Sequence, residues 1–249
     1  MSKDVTKAQE NLPADLMQEF EADAGAGLEN ADSDSFSIPF LRIVQSNSPE
    51  IEDLEGAKPG KIVNTATSEL YDEVEVIPVT YERAFIEWVP RDNGGGLVQF
   101  WSVEDGKKAE EKHGRDGAKI KLDNGNDLID TRQHYVLVKH EDGGTEPAMI
   151  AMSSTQINNS KEWMNKINRV KIPGKSDTAP MFACSYTLST RKRQKDSYSW
   201  HVWTIEQNGF VDADTYHAAK GFLESIKSGE AKADLSAAEE AQPESEQEF

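Results

Sequence analysis

The sequence predicts a mainly β domain of the α+β class, and three observations carry that prediction. Alternating runs such as "EVEVIPVTYER" (73–83) and "YSWHVWTIE" (198–206) have the two-residue period of strands. Turn signals separate such runs, "NGGG" at 93–96 and "EDGGTE" at 141–146. One segment, "SSTQINNSKEWMNKINRV" (153–170), changes to helical spacing, with Ile157, Trp163, Met164, Ile167 and Val170 on one stripe.

Taken in order, residues 1–36 read as a flexible acidic arm containing one weakly amphipathic patch, "ADLMQEF". Order begins at "SIPFLRIVQ" (37–45), where Phe40, Ile43 and Val44 are apolar anchors, and "SNSPEIEDLEGAKPGK" (46–61) reads as a loop. "EVEVIPVTYER" and "AFIEWVP" (84–90) follow as extended chain, with Pro78 marking a sheet edge or a bulge. "NGGG" leads into "LVQFWSV" (97–103), and residues 104–126 read as a charged, Gly-studded insertion with little to bury. "HYVLVKH" (134–140) and "PAMIAMS" (147–153) form a second hairpin. The helix follows, with N-cap oxygens offered by Ser153 to Thr155, and "KIPGKSDTAP" (171–180) ends it. "MFACSYTLST" (181–190) and "YSWHVWTIE" are two more strands, joined by the basic connection "RKRQKDS" (191–197). A last helix runs from Ala213 to Ser228 behind the capping candidate Asp212, and a disordered acidic tail, 230–249, closes the chain. Without the insertion, the order is strand, strand, strand, helix, strand, strand. That is the element order of an OB-fold, a five-stranded barrel with a helix between strands 3 and 4. The expected organisation is thus an arm (1–36), an OB-like domain (37–229) and a tail.

Charge is uneven along this plan. The arm sets Lys3 and Lys7 against nine acids, and the tail sets Lys232 against seven, so the two ends hold −13 of the formal −18. The basic residues concentrate late. Between Lys161 and Lys195 lie Lys161, Lys166, Arg169, Lys171, Lys175, Arg191, Lys192, Arg193 and Lys195, with Glu162, Asp177 and Asp196 the acids in or just after the stretch. The single cysteine, Cys184, excludes an intrachain disulfide and a multi-cysteine zinc site, and its apolar run predicts a buried thiol. No stretch has the length of a membrane span and the first thirty residues lack a signal-peptide pattern, so a soluble protein of the cytoplasm is expected.

Catalytic patterns are weak. "GKS" at 174–176 fails as a phosphate loop because position 169 is Arg where the motif needs Gly. "DNGND" at 123–127 lacks the glycine and distal glutamate of a calcium loop. His113, His134, His140, His201 and His217 show no metal-ligand spacing, and His134 and His140 are expected to face solvent or a neighbouring strand. No metal, no cofactor and no enzymatic activity are therefore expected. The basic stretch is better matched to nucleic acid. Lysine and arginine neutralise phosphates with release of counterions, and exposed aromatic faces stack bases at about 1–3 kcal/mol each. Tyr198 and Trp200 share a strand face and are the candidates for stacking, with Tyr186 behind them; Trp203 pairs with Ile205 and reads as core. Trp163 sits on the apolar stripe and also reads as core, while Trp88, Phe100 and Trp101 beside "NGGG" offer a second stacking surface, Trp101 being the candidate among them.

The chain ends in "ESEQEF". A basic, aromatic-bearing body with this element order, followed by an acidic tail closed by Phe, resembles the single-stranded DNA-binding proteins of bacteriophage and bacterial replication. "FLRIVQSNSPE" and "PVTYERAFIEWVPRDNGGG" are similar to phage-encoded proteins of this type. The resemblance implies that Glu239, Glu240, Glu244, Glu246, Glu248 and Phe249 recruit replication proteins, such as a polymerase or helicase-primase, and compete with DNA for the binding groove. It departs from the family in its longer chain, its acidic arm, its insertion and the absence of a Pro-Phe ending. The expected function is low-specificity binding and protection of single-stranded DNA in replication, recombination and repair, in the host cytoplasm, with a homo-oligomer allowed. Two alternatives stand beside it, a strand-annealing recombination protein and an acidic DNA-mimic inhibitor of a host enzyme.

Overall fold

The computed structural model describes residues 13–23, 26–27, 38–229 and 231, which fall in two units, Met1–Phe36 and Ser37–Phe249. In the first unit the "ADLMQEF" patch lies in helix α1 (Ala14–Ala22). The tail residues Glu239, Glu240, Glu244, Glu246, Glu248 and Phe249 lie outside the described residues.

The second unit is organised by two long antiparallel strands, β4 (Glu73–Trp88) and β7 (Asp127–Lys139), paired from Glu75 with Lys139 to Trp88 with Asp127. "EVEVIPVTYER" and "AFIEWVP" are therefore one strand, and the register slips between Pro78 and Thr80. Proline has no N–H for the ladder, so an extra residue at this point accommodates it within a paired strand. At one end β9 (Cys184–Lys195) pairs with Glu73–Val76, and β10 (Tyr198–Phe210) pairs with β9. On the far side of β7 lies β8 (Thr145–Ser153), across the predicted "EDGGTE" turn. The order here is β10-β9-β4-β7-β8, antiparallel throughout. At the other end β5 (Leu97–Trp101) and β6 (Lys119–Lys121) flank the same two strands.

Three short strands, β1 (Leu41–Ile43), β2 (Ile62–Asn64) and β3 (Leu70–Tyr71), make a separate sheet. A parallel bridge from Phe40 to Met149 ties its approach to β8. Strands of two or three residues are too short to show a period in the sequence. The loop 46–61 likewise contains one helical turn, α2 (Glu50–Asp53).

The insertion is structured. It holds α3 (Val103–His113) and β6, and it packs Ala109 and Ile120 against Phe85 and Leu128. Ser102 caps α3 by accepting from the Asp105 N–H, a device legible in "SVED". Few apolar residues in the segment hid a small core whose other half is supplied by β4 and β7.

Helix α4 (Ile157–Arg169) lies on one face of the sheet with Trp163 and Ile167 buried among Val76, Val136, Ile150, Tyr186, Leu188 and Trp203. The opposite face, through Ile77, Tyr135, Leu137 and Met149, packs against Phe40, Phe182 and helix α5 (Ala213–Ser228). Asp212 caps α5 as predicted, accepting from the Thr215 N–H at 2.8 Å. Ser153 to Thr155 do not cap α4; Ser154–Gln156 form a 3-10 turn ahead of it. Cys184 is a buried free thiol, as its apolar run predicts.

No closed barrel forms among the described residues, because no ladder joins β8 to β10. Side chains occupy the edge of β10 instead. The Gln45 amide donates to the His201 carbonyl at 3.0 Å and accepts from its N–H at 2.9 Å. Gln156 also donates to that carbonyl (3.1 Å) and accepts from the Trp203 N–H (3.2 Å), while Asn159 donates to the Trp203 carbonyl at 2.6 Å. Lys166 Nζ donates to the Ile205 carbonyl. These groups satisfy edge positions that would otherwise invite another strand.

Candidate nucleic-acid interface

Beyond Ser189, β9 leaves β4 and continues with β10 alone as a two-stranded ribbon. The run "RKRQK", expected as a loop, is strand, and the turn is only Asp196–Ser197, with Asp196 at φ 52°. Two-residue hairpin turns need such positive φ values, and Asp tolerates them. Six residues of ribbon extend about 20 Å at the usual strand rise. Its root is fixed by Thr190 Oγ1 donating to the Gly60 carbonyl at 2.5 Å and by the Gln45–His201 pair. Gly60 has φ +97°, and a Cβ there would stand 2.9 Å from the His201 ring, so this approach requires glycine.

Register decides what the ribbon presents. Lys195 lies opposite Tyr198, Arg193 opposite Trp200 and Arg191 opposite Val202. Residues directly opposite in an antiparallel pair share a face, so Arg191, Arg193, Lys195, Tyr198 and Trp200 form one cation-and-aromatic surface. Lys192 shares the other face with His201. Residues 191–199 are all exposed, with Tyr198 48% exposed, and Trp200 is half-buried. No carboxylate among the described residues forms an ion pair with Arg191, Lys192 or Arg193. On the cationic face the patch is bounded by Glu73 and Glu75, which pair with Ser189 and Thr187 on β9.

The other candidates are distributed elsewhere. Lys161, Arg169, Lys171 and Lys175 are exposed, the first two on α4 and the others on the loop behind it. Lys171 donates to Thr178 Oγ1 at 3.0 Å, and Lys166 is occupied by the Ile205 carbonyl and by Glu162 at 3.2 Å. Tyr186 is 1% exposed and packs edge-on against Trp163 at 5.9 Å; it is a core residue and offers no face to a base. Trp163 and Trp203 are core, as expected. His134 is not at the surface: it is fully buried, stacked on Trp163 at 4.7 Å, with Nε2 2.8 Å from Ser160 Oγ. Burial, with the charge of Arg132, pushes its imidazole down to about 3, so it is neutral.

Trp101 lies at the far end of β4 and has a structural partner. Glu87 is 1% exposed and accepts from Trp101 Nε1 (2.8 Å), Gln99 (2.9 Å), Asn124 (2.9 Å) and Asn126 (2.7 Å). Burial raises its carboxyl, but these four donors outweigh that and hold it at about 2. The asparagines of "DNGND" thus clamp the insertion onto β4. Trp88, beside it, is buried. Among the described residues, no cluster of three or more His, Cys, Asp or Glu side chains is arranged to hold a metal ion. No helix of the described residues is long and apolar enough to cross a membrane.

The family model described as "Pam3 phage gp34-like protein" matches residues 7–232, leaving 233–249 beyond the matched span. No curated protein and no solved structure matches the chain.

Proposed function

The chain belongs to the Pam3 phage gp34-like family, and we propose that it binds single-stranded DNA with little sequence preference, without enzymatic activity, in the host cytoplasm during phage replication, recombination and repair. The observation that carries the reading is the ribbon face, where Lys195 and Arg193 stand opposite Tyr198 and Trp200, with Arg191 next in the row. Cations two residues apart on a strand repeat about every 7 Å. Such a row can follow the phosphates of an extended strand while the two rings stack its bases.

The pairing order supports an OB-like ancestry for the body. An OB barrel opened between its third and fifth strands has the order found for β10-β9-β4-β7-β8, with its helix where α4 stands. In that scheme the seam left open is the one filled by Gln45, Gln156, Asn159 and Lys166. OB domains commonly bind oligonucleotides on the face of strands 2 and 3 and on the loops between strands 1 and 2 and strands 4 and 5. Here one face of β7 and β8 packs against α5 and the other against α4, so the ribbon between β9 and β10 is the accessible equivalent.

Glu239, Glu240, Glu244, Glu246, Glu248 and Phe249 complete the proposal as a recruiting tail for replication proteins that competes with DNA. Deleting 241–249 is expected to leave strand affinity unchanged or higher while removing partner capture; a large loss of affinity would sink that role. Binding itself is tested by titrating tryptophan fluorescence with oligo-dT, single-stranded RNA and duplex DNA. Absence of any complex with all three at low salt would refute the reading and favour the DNA-mimic alternative. Annealing of complementary strands, with light scattering for assembly size, separates the recombination alternative.

A further inference from the structure

A second cationic cluster is formed by Arg83 on β4, Arg132 on β7 and Arg115 between α3 and β6. Asp130 is 3% exposed, and its Oδ2 accepts from three arginines: Arg83 Nη2 at 2.8 Å, Arg132 Nη2 at 3.1 Å and Arg115 Nη2 at 3.5 Å. Arg83 Nε adds a bond to Oδ1 at 2.9 Å, and Arg115 also forks onto Glu110 at 2.5 and 3.0 Å. Sharing one oxygen places the three Nη2 atoms within about 7 Å of one another, a distance at which like charges repel appreciably near a protein surface.

The local count is three positive charges against two, Asp130 and Glu110. Neutralising one buried aspartate needs one guanidinium, and holding a further partly buried cation beside it is unfavourable unless an anion completes the set. The donors are also incompletely used. Arg132 Nη1 donates to Tyr81 Oη at 3.2 Å, but buried Arg132 Nε has no hydrogen-bond partner among the described residues. Arg83 Nη1 and Arg115 Nη1 likewise make no hydrogen bond among them. The side chains of Arg83, Arg115 and Arg132 are 23%, 30% and 11% exposed, so solvent reaches the cluster. In a chain of formal charge −18, such a concentration is not a by-product of a basic composition.

We propose that Arg83, Arg115 and Arg132, held together by Asp130, form a seat for one phosphate group. Arginine suits this role because its planar fork matches the oxygens of a phosphate, and the buried carboxylate fixes the forks before the ligand arrives. The group could come from free phosphate or a nucleotide, or from one phosphate of a bound strand. The seat does not depend on the ribbon reading, since the ribbon is formed by β9 and β10 beyond their pairing with β4.

The test uses the full chain. Thermal unfolding is compared in inorganic phosphate and in chloride at equal ionic strength, for the natural sequence, Arg115→Gln and Arg83→Gln. Arg115→Gln leaves Asp130 with two guanidinium partners, and circular dichroism checks that it folds. Phosphate is expected to raise the Tm of the natural chain by a few degrees over chloride and to lose most of that effect in both variants. The salt dependence of oligo-dT binding then identifies the source. A seat for a strand phosphate lowers the log–log slope by about 0.7 in Arg115→Gln. An unchanged slope, with the phosphate effect present in the natural chain and lost in the variants, assigns the seat to free phosphate or a nucleotide. An equal phosphate effect in all three chains is the general salt effect and would overturn the proposal. Equal Tm values in the two salts, together with an unchanged slope, would overturn the proposal.

Discussion

The two ends of the β4–β7 pair handle charge in opposite ways. Near Glu73 and Lys139 the ribbon raises Arg191, Arg193 and Lys195 into solvent on a strand pair with little beneath it. Near Trp88 and Asp127 the charges are drawn inside: Glu87 takes four neutral donors, Asp127 pairs with Lys119 and Lys121, and Asp130 takes three arginines. Exposed charges contribute little to stability and are available to a ligand; buried, bonded ones are costly to disturb and hold the insertion in place. On the proposed function the first end is the main binding surface and the second is chiefly scaffold, and the two should respond differently to mutation.

The largest effect on stability is expected at the scaffold end. Asp130→Ala leaves three arginines around an empty position and should cost about 3–5 kcal/mol in urea unfolding, since removing one partner strands the others. Burial raises the Asp130 carboxyl, but Arg83, Arg132 and Arg115 pull it further down, so the ionised form is the one being lost. Oligo-dT affinity of the folded fraction should fall far less than it does on loss of the ribbon cations. The reverse pattern is expected for the triple change Arg191→Ala, Arg193→Ala, Lys195→Ala: roughly a hundredfold weaker oligo-dT binding at low salt and a salt slope smaller by about 2, with stability within about 0.5 kcal/mol.

Smaller effects sharpen the contrast. Trp200→Ala should weaken binding by about 1–3 kcal/mol with little change in salt slope, because stacking releases no counterions. A slope that fell with it would show that the ring acts by placing Arg193 instead. Acid should first destabilise the packing of α4 on the sheet, where His134 stacks on Trp163. The folded His134 imidazole titrates at about 3 against an ordinary 6.5, so the unfolded chain takes up the proton earlier. Stability is full above about pH 6.5 and falls by roughly 1.4 kcal/mol per pH unit below it, toward pH 3. Glu87, held at about 2, adds to the loss below about pH 4.5. Equilibrium unfolding between pH 7 and 5 checks the first limb, which His134→Gln should flatten.

Legibility in the sequence followed the same divide. Strands and helices with several periods were readable: the hairpin across "EDGGTE", helix α4, helix α5 with its Asp212 cap, and the bulge at Pro78. Trp163, Trp203 and Cys184 were placed in the core because their neighbours alternate or recur at helical spacing. The ribbon's residues were identified, but their strand pairing was hidden because five consecutive polar residues look like a loop; only register shows which of them share a face. Tyr186 was misplaced as a stacking ring, since one strand's alternation does not say which face is inside. The insertion's fold, the amide-covered edge of β10 and the arginine cluster depend on residues 37 to 156 positions apart, or on single polar side chains within strands, and no local pattern encodes them. His134 is expected to face solvent or a neighbouring strand; it is buried and meets Tyr81 on β4, but its stacking and hydrogen-bond partners were hidden for the same reason. Its partners Trp163 and Ser160 come from a helix that the strand's own pattern does not reveal.

The most direct test of the central claim is a tryptophan-fluorescence titration with oligo-dT at two salt concentrations, run in parallel on the natural chain and on the triple ribbon variant. Quenching with a salt-sensitive affinity in the natural chain, and a much weaker, less salt-sensitive affinity in the variant, is the predicted result. Equal binding by the two proteins would contradict the ribbon as the interface, and no binding by the natural chain would contradict single-stranded DNA binding altogether.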